Sequence, residues 1–418
     1  MKILIWHGYL LGGTGSNVYT RSLARAWSRQ GHEVVVFSQE RHPESYDLGG
    51  ARVIRPEIGP HLPVFVLDSY KGQRARLLQD LSRPELEDFV ERNAAAVRAQ
   101  GPADFLLTNH VLLGGPVGAA AGLPFAVKAH GSELEFSIRG NPSLGAWAAE
   151  SLSSARAVIA GSEHIVRVLR EVVGPGDYVQ RVRLGPPGVD VEALTPDDRT
   201  TALTLLVEQC SLDLPNPMEG HDQRRPDDGN ADRFATFLAG DRPTVLYVGK
   251  LSAEKGVSLL LDAVSRLDVR TVVVGFGPAR RELEQLAGDD VLFTGPLEHR
   301  HLAHLWPLAD VSVVPSVFPE AFGMVAAEAA ACGSPPLVAR HSGLAEVAAA
   351  LELEYPAEHR HLASFETGDV EDLTAKLAEL VSLPRAQWQA VSAAARRTVV
   401  QSWSWDHVAA GISDVMTH

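Results

Sequence analysis

The sequence predicts an α/β protein of two domains, each built on a parallel sheet with helices packed against it. The chain opens with an apolar strand, a glycine-rich loop and a helical pattern, and the same plan starts again at Thr244. Its 418 residues also exceed what a single hydrophobic core usually organises. The expected division is 1–195 for the first domain, 196–240 for a linker or insertion, 241–384 for the second domain and 385–418 for a C-terminal helical segment.

In the first domain, the apolar run Lys2–Trp6 ends in a glycine loop, helical spacing covers 17–29, and a second apolar run spans 33–38. This is a βαβ unit. A charged helical stretch follows at 83–100, and short runs at 105–108, 125–129 and 157–160 lack polar alternation, as strands buried on both faces do. Segment 211–240 is rich in Pro, Asp and Arg and shows neither hydrophobic period, so it is expected to be an insertion or linker. The second series has strands at Thr244–Val248, Arg270–Val274, Val291–Phe293 and Val311–Val314, with a helix over 257–267. The terminal segment, 385–418, has helical spacing and carries Trp388, Trp403 and Trp405, which could pack a terminal helix onto either domain.

Composition narrows the partners. A formal net charge of -14 opposes nucleic-acid binding, which needs an excess of Lys and Arg. The two cysteines, Cys210 and Cys332, are far apart and lack metal-ligand spacing, as suits a reducing compartment. Cys332 reads as a small buried residue rather than a nucleophile. The opening MKILIWHGYLLGGTG is broken by glycine too soon for a signal peptide, and no apolar window reaches the ~18 to 20 residues that span a bilayer. The expectation is a soluble cytoplasmic protein, with attachment at the inner face of a membrane left open and no oligomeric state implied.

The most informative constellation is Pro319-Glu320-Ala321-Phe322-Gly323-Met324-Val325-Ala326-Ala327-Glu328, after the strand Val311–Val314. A strand, a glycine and a helix start make an anion site: the amides around Phe322, Gly323, Met324 and Val325 and the helix dipole favour a phosphate. Glu328 would lie roughly 7.5 Å along the helix from Gly323 at ~1.5 Å per residue, comparable to a phosphate-to-ribose span. One carboxylate then meets sugar hydroxyls and the other ribose. The bland reading makes Glu320 a helix-start charge and Glu328 a solvated side chain. The small apolar neighbours of Glu328 argue for a buried face, and a buried carboxylate needs partners.

Lys250 and Lys255 leave the end of the strand Thr244–Val248, where open parallel sheets bind ligands and where lysine neutralises a departing diphosphate. The loop from Leu11 to Ser16 allows close backbone approach to a ligand. Its spacing fails the GxGxxG pattern, because Val18 stands where a glycine is needed after Gly13, and Arg280 does so after Gly275 and Gly277. His130 ends a first-domain strand, where it suits contact with a reacting sugar, and Asn109 with His110 would line an acceptor pocket. His299, His301 and His304 carry no metal assignment, since no HExxH, cysteine pair or carboxylate set accompanies them; Asp190 and Glu192 carry none either.

With these motifs in place, the chain resembles the family-4 retaining glycosyltransferases of the GT-B fold over nearly its whole length. The motifs appear in order: the Gly12–Gly15 loop, His130-Gly131-Ser132, Gly161-Ser162, Pro187-Gly188-Val189-Asp190, Gly249-Lys250 through Lys255-Gly256, Gly275-Phe276-Gly277-Pro278, and Glu320 ahead of Glu328. The resemblance implies two Rossmann-like domains with parallel sheets facing a central cleft, and a terminal helix crossing back to the first domain. It implies that Lys255 and the amides of Gly323, Met324 and Val325 hold the donor diphosphate, with Lys250 beside them. Glu320 would contact the transferred sugar, Glu328 the ribose, Leu297 the base, Gly13 the phosphates, and His130 the region of the anomeric centre. His130, Lys255 and Glu320 are the expected catalytic groups.

The implied activity is transfer of a hexose from a nucleoside diphosphate sugar, UDP favoured over GDP, to a hydroxyl of a small molecule, glycan or lipid-linked acceptor. Configuration would be retained, without a cofactor or an obligatory metal. Hydrolysis or epimerisation of the same donor, and non-catalytic sensing of it, stay open. An NAD-dependent oxidoreductase is disfavoured by the broken glycine pattern.

Overall fold

The computed structural model describes residues 1–66, 70, 72–217 and 221–417. They form two units, Met1–Gly188 with the residues from Trp405 onward, and Val189–Ser404.

The first unit contains β1 (Lys2–Trp6), β2 (Glu33–Phe37), β3 (Arg52–Ile54), β4 (Leu62–Val64), β5 (Ala75–Leu77), β6 (Phe105–Asn109), β7 (Phe125–Lys128), β8 (Ala157–Ala160) and β9 (Val182–Leu184). Among the described residues, seven of these strands form a parallel sheet in the order β3-β2-β1-β6-β7-β8-β9, while β4 and β5 pair separately. Ile3 to Trp6 are fully buried, as strands covered on both faces require. The order reverses at β1, with β2 on one side and β6 on the other. The crevice at their carboxyl ends is where open sheets bind ligands. The loop after β1 carries Gly13 to that edge, and the end of β6 with the residue after it carries Asn109 and His110 there.

The second unit repeats the scheme with β10 (Thr244–Val248), β11 (Arg270–Val274), β12 (Val291–Phe293), β13 (Val311–Val314), β14 (Pro336–Ala339) and β15 (Ser364–Phe365). Their order is β12-β11-β10-β13-β14-β15, all parallel, with the reversal at β10. Its flanking loops bear Lys250, Lys255 and Glu320. Helices Met324–Ala331 and Arg385–Ser402 pack their alanine faces into this core.

The segment expected to be a linker belongs largely to the second unit's framework. Helix Arg199–Ser211 buries Ala202, Leu206 and Cys210, and helix Asn230–Phe237 buries Phe234. Residues 218–220 of that segment lie outside the described residues. The terminal stretch is two helices, not one. Arg385–Ser402 lies in the second unit, and Trp405–Thr417 lies in the first, where Val408, Ala409, Ile412 and Met416 are buried. There the Trp27 indole N–H reaches the Ala409 carbonyl at 3.1 Å and Ser413 Oγ at 2.9 Å. Among the described residues no helix is long and apolar enough to cross a membrane.

Docking of the terminal helix on the first unit is therefore a packing interaction that truncation of one side chain should weaken. Ile412→Ala is expected to cost about 2–5 kcal/mol, the usual range for emptying a buried aliphatic site. Urea titration followed by Trp fluorescence would register it as an earlier unfolding midpoint.

Candidate functional site

In the second unit, the loops after β10 and β13 are bound together at the point where the sheet order reverses. The Glu254 carbonyl accepts from the Val317 and Phe318 amides at 2.9 and 3.2 Å. Beside it, Gly256 sits at φ 66°, and a Cβ there would lie 1.9 Å from the Pro315 carbonyl oxygen, so only glycine lets the loops approach this closely. That approach brings the Lys255 ammonium onto the Glu320 carboxylate as a partly buried ion pair. Gly323, at φ 126°, caps helix Met324–Ala331, whose Met324 and Val325 amides lack intrahelical acceptors as at any helix start. A lysine, a carboxylate and a helix N-terminus thus converge on one edge.

The other predicted donor residues occupy this unit in varied settings. Lys250 is exposed, its carbonyl accepting from the Tyr247 hydroxyl at 2.9 Å. The Phe322 ring is buried edge-on against Trp403 at 5.2 Å, so this residue offers its backbone rather than its side chain. Leu297 is half-buried against the core. Glu328 is mostly buried, as its small neighbours suggest, and its Oε1 lies 3.2 Å from His299 Nε2.

In the first unit, His130 is set by a directed chain. Thr20 donates to the Ser16 carbonyl at 2.9 Å and accepts from Asn109 Nδ2 at 3.3 Å. Asn109 Oδ1 therefore accepts from His130 Nε2 at 2.9 Å. His110, at φ 71°, lies against His130 with ring centres 4.5 Å apart. Asn109 and His110 were expected to line an acceptor pocket; the structure buries both, and the Asn109 side chain is spent on His130 and Thr20. Gly13 is exposed at φ 94°, with open space where a Cβ would be.

Sequence reasoning missed the groups that surround His130. Glu133 is wholly buried and accepts from the amides of Val111, Leu112 and His130 at 2.9, 3.1 and 3.1 Å. Its spacing after His130 is that of a capping box, which was a usable signal. Burial pushes the Glu133 carboxyl up to about 7 against the opposing pull of those amides. Burial lowers Lys128 to about 7 and His7 to about 4, and it holds His110 and His130 well below the ordinary imidazole value. The site is therefore built from neutral imidazoles.

A separate cluster of Cys210, Asp213 and His301 has metal-ligand composition. His301 Nδ1 accepts the Glu298 amide at 3.1 Å, so Nε2 bears the proton it shares with Asp213 Oδ1 at 3.1 Å. Arg300 pairs with the same carboxylate. This is the chemistry of a hydrogen-bonded ion pair; both imidazole nitrogens are already committed.

Comparison with known proteins follows the same division. The family described as glycosyl transferases group 1 matches residues 228–398, and the glycosyl transferase 4-like domain matches residues 14–188. A D-inositol 3-phosphate glycosyltransferase of Xylanimonas cellulosilytica is 30% identical over 359 residues, covering 80% of this chain and 77% of its own. Among solved structures, a sucrose-phosphate synthase from Thermosynechococcus elongatus superposes with a TM-score of 0.65 at 23% identity, over 99% of this chain and 98% of the other. Anabaena HepE in complex with UDP gives 0.67 at 18% identity, over the whole of both chains.

The buried Glu133 makes a pH prediction. Between about 4.5 and 7 the folded state keeps a proton that the unfolded state releases, so this group's contribution is fully present below 4.5 and lost as pH rises through 7. Comparing wild type with Glu133→Gln by denaturant titration separates this effect from the opposing one of the imidazoles. The stability of wild type relative to the variant is expected to fall across that window, and the same difference at both ends would contradict the assignment.

Proposed function

The chain belongs to the group 1 glycosyltransferases with the GT-B fold, and from that premise we propose a retaining hexosyltransferase that uses a nucleoside diphosphate sugar, UDP favoured, and a hydroxyl acceptor. The observation that carries this reading is the convergence of Lys255, Glu320 and the Gly323-capped helix start at the sheet reversal of the second unit. Lys255 and the Gly323, Met324 and Val325 amides hold the diphosphate, stabilising it as the glycosidic bond breaks and negative charge passes to the leaving oxygen. Lys250 adds charge at the rim. Glu320 accepts hydrogen bonds from sugar hydroxyls, Glu328 from the ribose, and Leu297 packs on the base.

On this reading His130 meets the reacting sugar as a neutral hydrogen-bonding group, oriented by Asn109, with His110 packed against it and Gly13 near the phosphates. Leaving-group charge then falls to Lys255 and the helix amides, with no metal required. HepE, solved with UDP and with UDP-glucose, supports the choice of UDP. The inositol phosphate glycosyltransferase supports a polyol hydroxyl among the acceptors to try.

The direct test incubates the protein with UDP-glucose, UDP-galactose, UDP-N-acetylglucosamine and GDP-mannose, with D-inositol 3-phosphate and simple sugars as acceptors. Nucleotide release is measured, and the product's anomeric configuration is read by NMR. Turnover persisting in EDTA with retained configuration is expected; inversion or chelator sensitivity would refute the corresponding part. Lys255→Ala should lower kcat/KM about 100-fold, the scale of removing one charge-stabilising group. Glu320→Gln should lower turnover while leaving the thermal midpoint nearly unchanged.

A further inference from the structure

Behind Glu320 lies a turn of His341, Ser342 and Gly343 that opens helix Ser342–Glu354. We propose that Ser342, oriented by His341, is a positioning residue for the Glu320 carboxylate. The inference rests on the reading of Glu320 as the group that meets the transferred sugar.

The hydrogen-bond directions are determined by chemistry. His341 Nε2 lies 2.6 Å from the Ser316 carbonyl, which only accepts, so Nε2 carries the proton and Nδ1 of the neutral ring is an acceptor. The Ser342 hydroxyl, 3.0 Å from Nδ1, donates to it. Its oxygen is thereby turned to accept the Glu320 amide at 2.8 Å. The next residue completes the grip, because the Gly343 amide donates to the Glu320 carbonyl at 3.0 Å. Both peptide groups of Glu320 are thus held by one turn, and its side chain is directed to Lys255.

Two backbone features show how closely the turn is fitted. A Cβ at Gly343 would lie 2.6 Å from Phe322 Cα, so the helix start touches the loop backbone. Ser342 is a non-glycine residue at φ 47°, a conformation kept only where surrounding contacts hold it. His341 also ties the far end of the loop through its Nε2–H to the Ser316 carbonyl, and within the loop Ser316 Oγ donates to the Phe318 carbonyl at 3.0 Å. The turn therefore spans the loop from Ser316 to Glu320, and the Ser342 hydroxyl is the link that reaches the carboxylate-bearing residue.

The test is a double-mutant cycle on nucleotide release from the four sugar nucleotides above. Ser342→Ala should lower kcat about 10-fold or more, the scale of a misplaced group, while the donor KM changes little. In the Glu320→Gln background the same change should have almost no further effect. Ser342→Gly relaxes the positive φ but lacks the hydroxyl; it should show the same kcat loss and serves if Ser342→Ala folds poorly. His341→Ala should fall short in kcat without adding to Ser342→Ala. Wild-type kcat in both Ser342 variants, or an equal loss with and without Glu320→Gln, would overturn the proposal. Full turnover in Glu320→Gln alone, or none by wild type with any donor, would instead overturn the underlying reading of the site.

Discussion

Contact between the loops after β10 and β13 depends on one steric condition, the absence of a side chain at Gly256. With the Pro315 carbonyl oxygen 1.9 Å from where a Cβ would stand, any other residue forces the loops apart. The Glu254 carbonyl could then not receive both Val317 and Phe318, and Lys255 would lose its register with Glu320. The ion pair is partly buried, its two side chains 31% and 24% exposed. Its value is geometric. The condition puts an ammonium and a carboxylate side by side just ahead of a helix N-terminus, the arrangement on which the proposed diphosphate site rests.

The first unit works under the opposite electrostatic rule. His7, His110 and His130 are packed among aromatic rings, and charging any of them would cost the hydration it has lost. Lys128 is held between the Gly185 carbonyl at 2.6 Å and the Tyr19 ring, with no carboxylate beside it among the described pairs. Such a site orients and hydrogen-bonds without supplying charge. The edge of the second unit that carries Lys250 and Lys255 and the edge of the first that carries neutral imidazoles thus differ in charge, each set by the burial of its own groups.

How much of this was legible depended on whether a residue's partner was near in sequence. The parallel strands showed because full burial leaves unbroken apolar runs, as in Lys2–Trp6 and Thr244–Val248. Edge strands did not: Arg52–Ile54 and Val182–Leu184 are short and carry exposed arginines. Lys255-Gly256 and Glu320 stood out as motifs, but the Pro315 carbonyl that demands Gly256 comes from a distant loop. Ser342 was invisible for the same reason, since nothing in Arg340-His341-Ser342-Gly343 announces a hydroxyl aimed at the Glu320 amide. The break between the terminal helices was hidden because no Gly or Pro marks it, although Trp403 packs in one unit and Trp405 starts the helix of the other.

The polar segment before β10 shows why absence of hydrophobic period is weak evidence for absence of structure. Its described part is held by hydrogen bonds and charge as well as by the few apolar side chains, Phe234 and Leu238, that it buries. The Asp227 amide donates to the Thr294 carbonyl at 2.9 Å, Asn230 reaches the same carbonyl, and Arg280 grips the Asp227 carboxylate with both terminal nitrogens. Burial alone would raise that carboxyl, yet Arg280 keeps it below its ordinary value, so the pair stays charged. Gly295, at φ 70°, completes the fit, since a Cβ there would meet Asp227 Oδ1 at 2.7 Å. Arg280 is the residue that broke the second glycine pattern in the sequence. Its place in the fold is to fasten this segment beside the strand end that leads to Leu297, a structural duty that the spacing of glycines could not reveal.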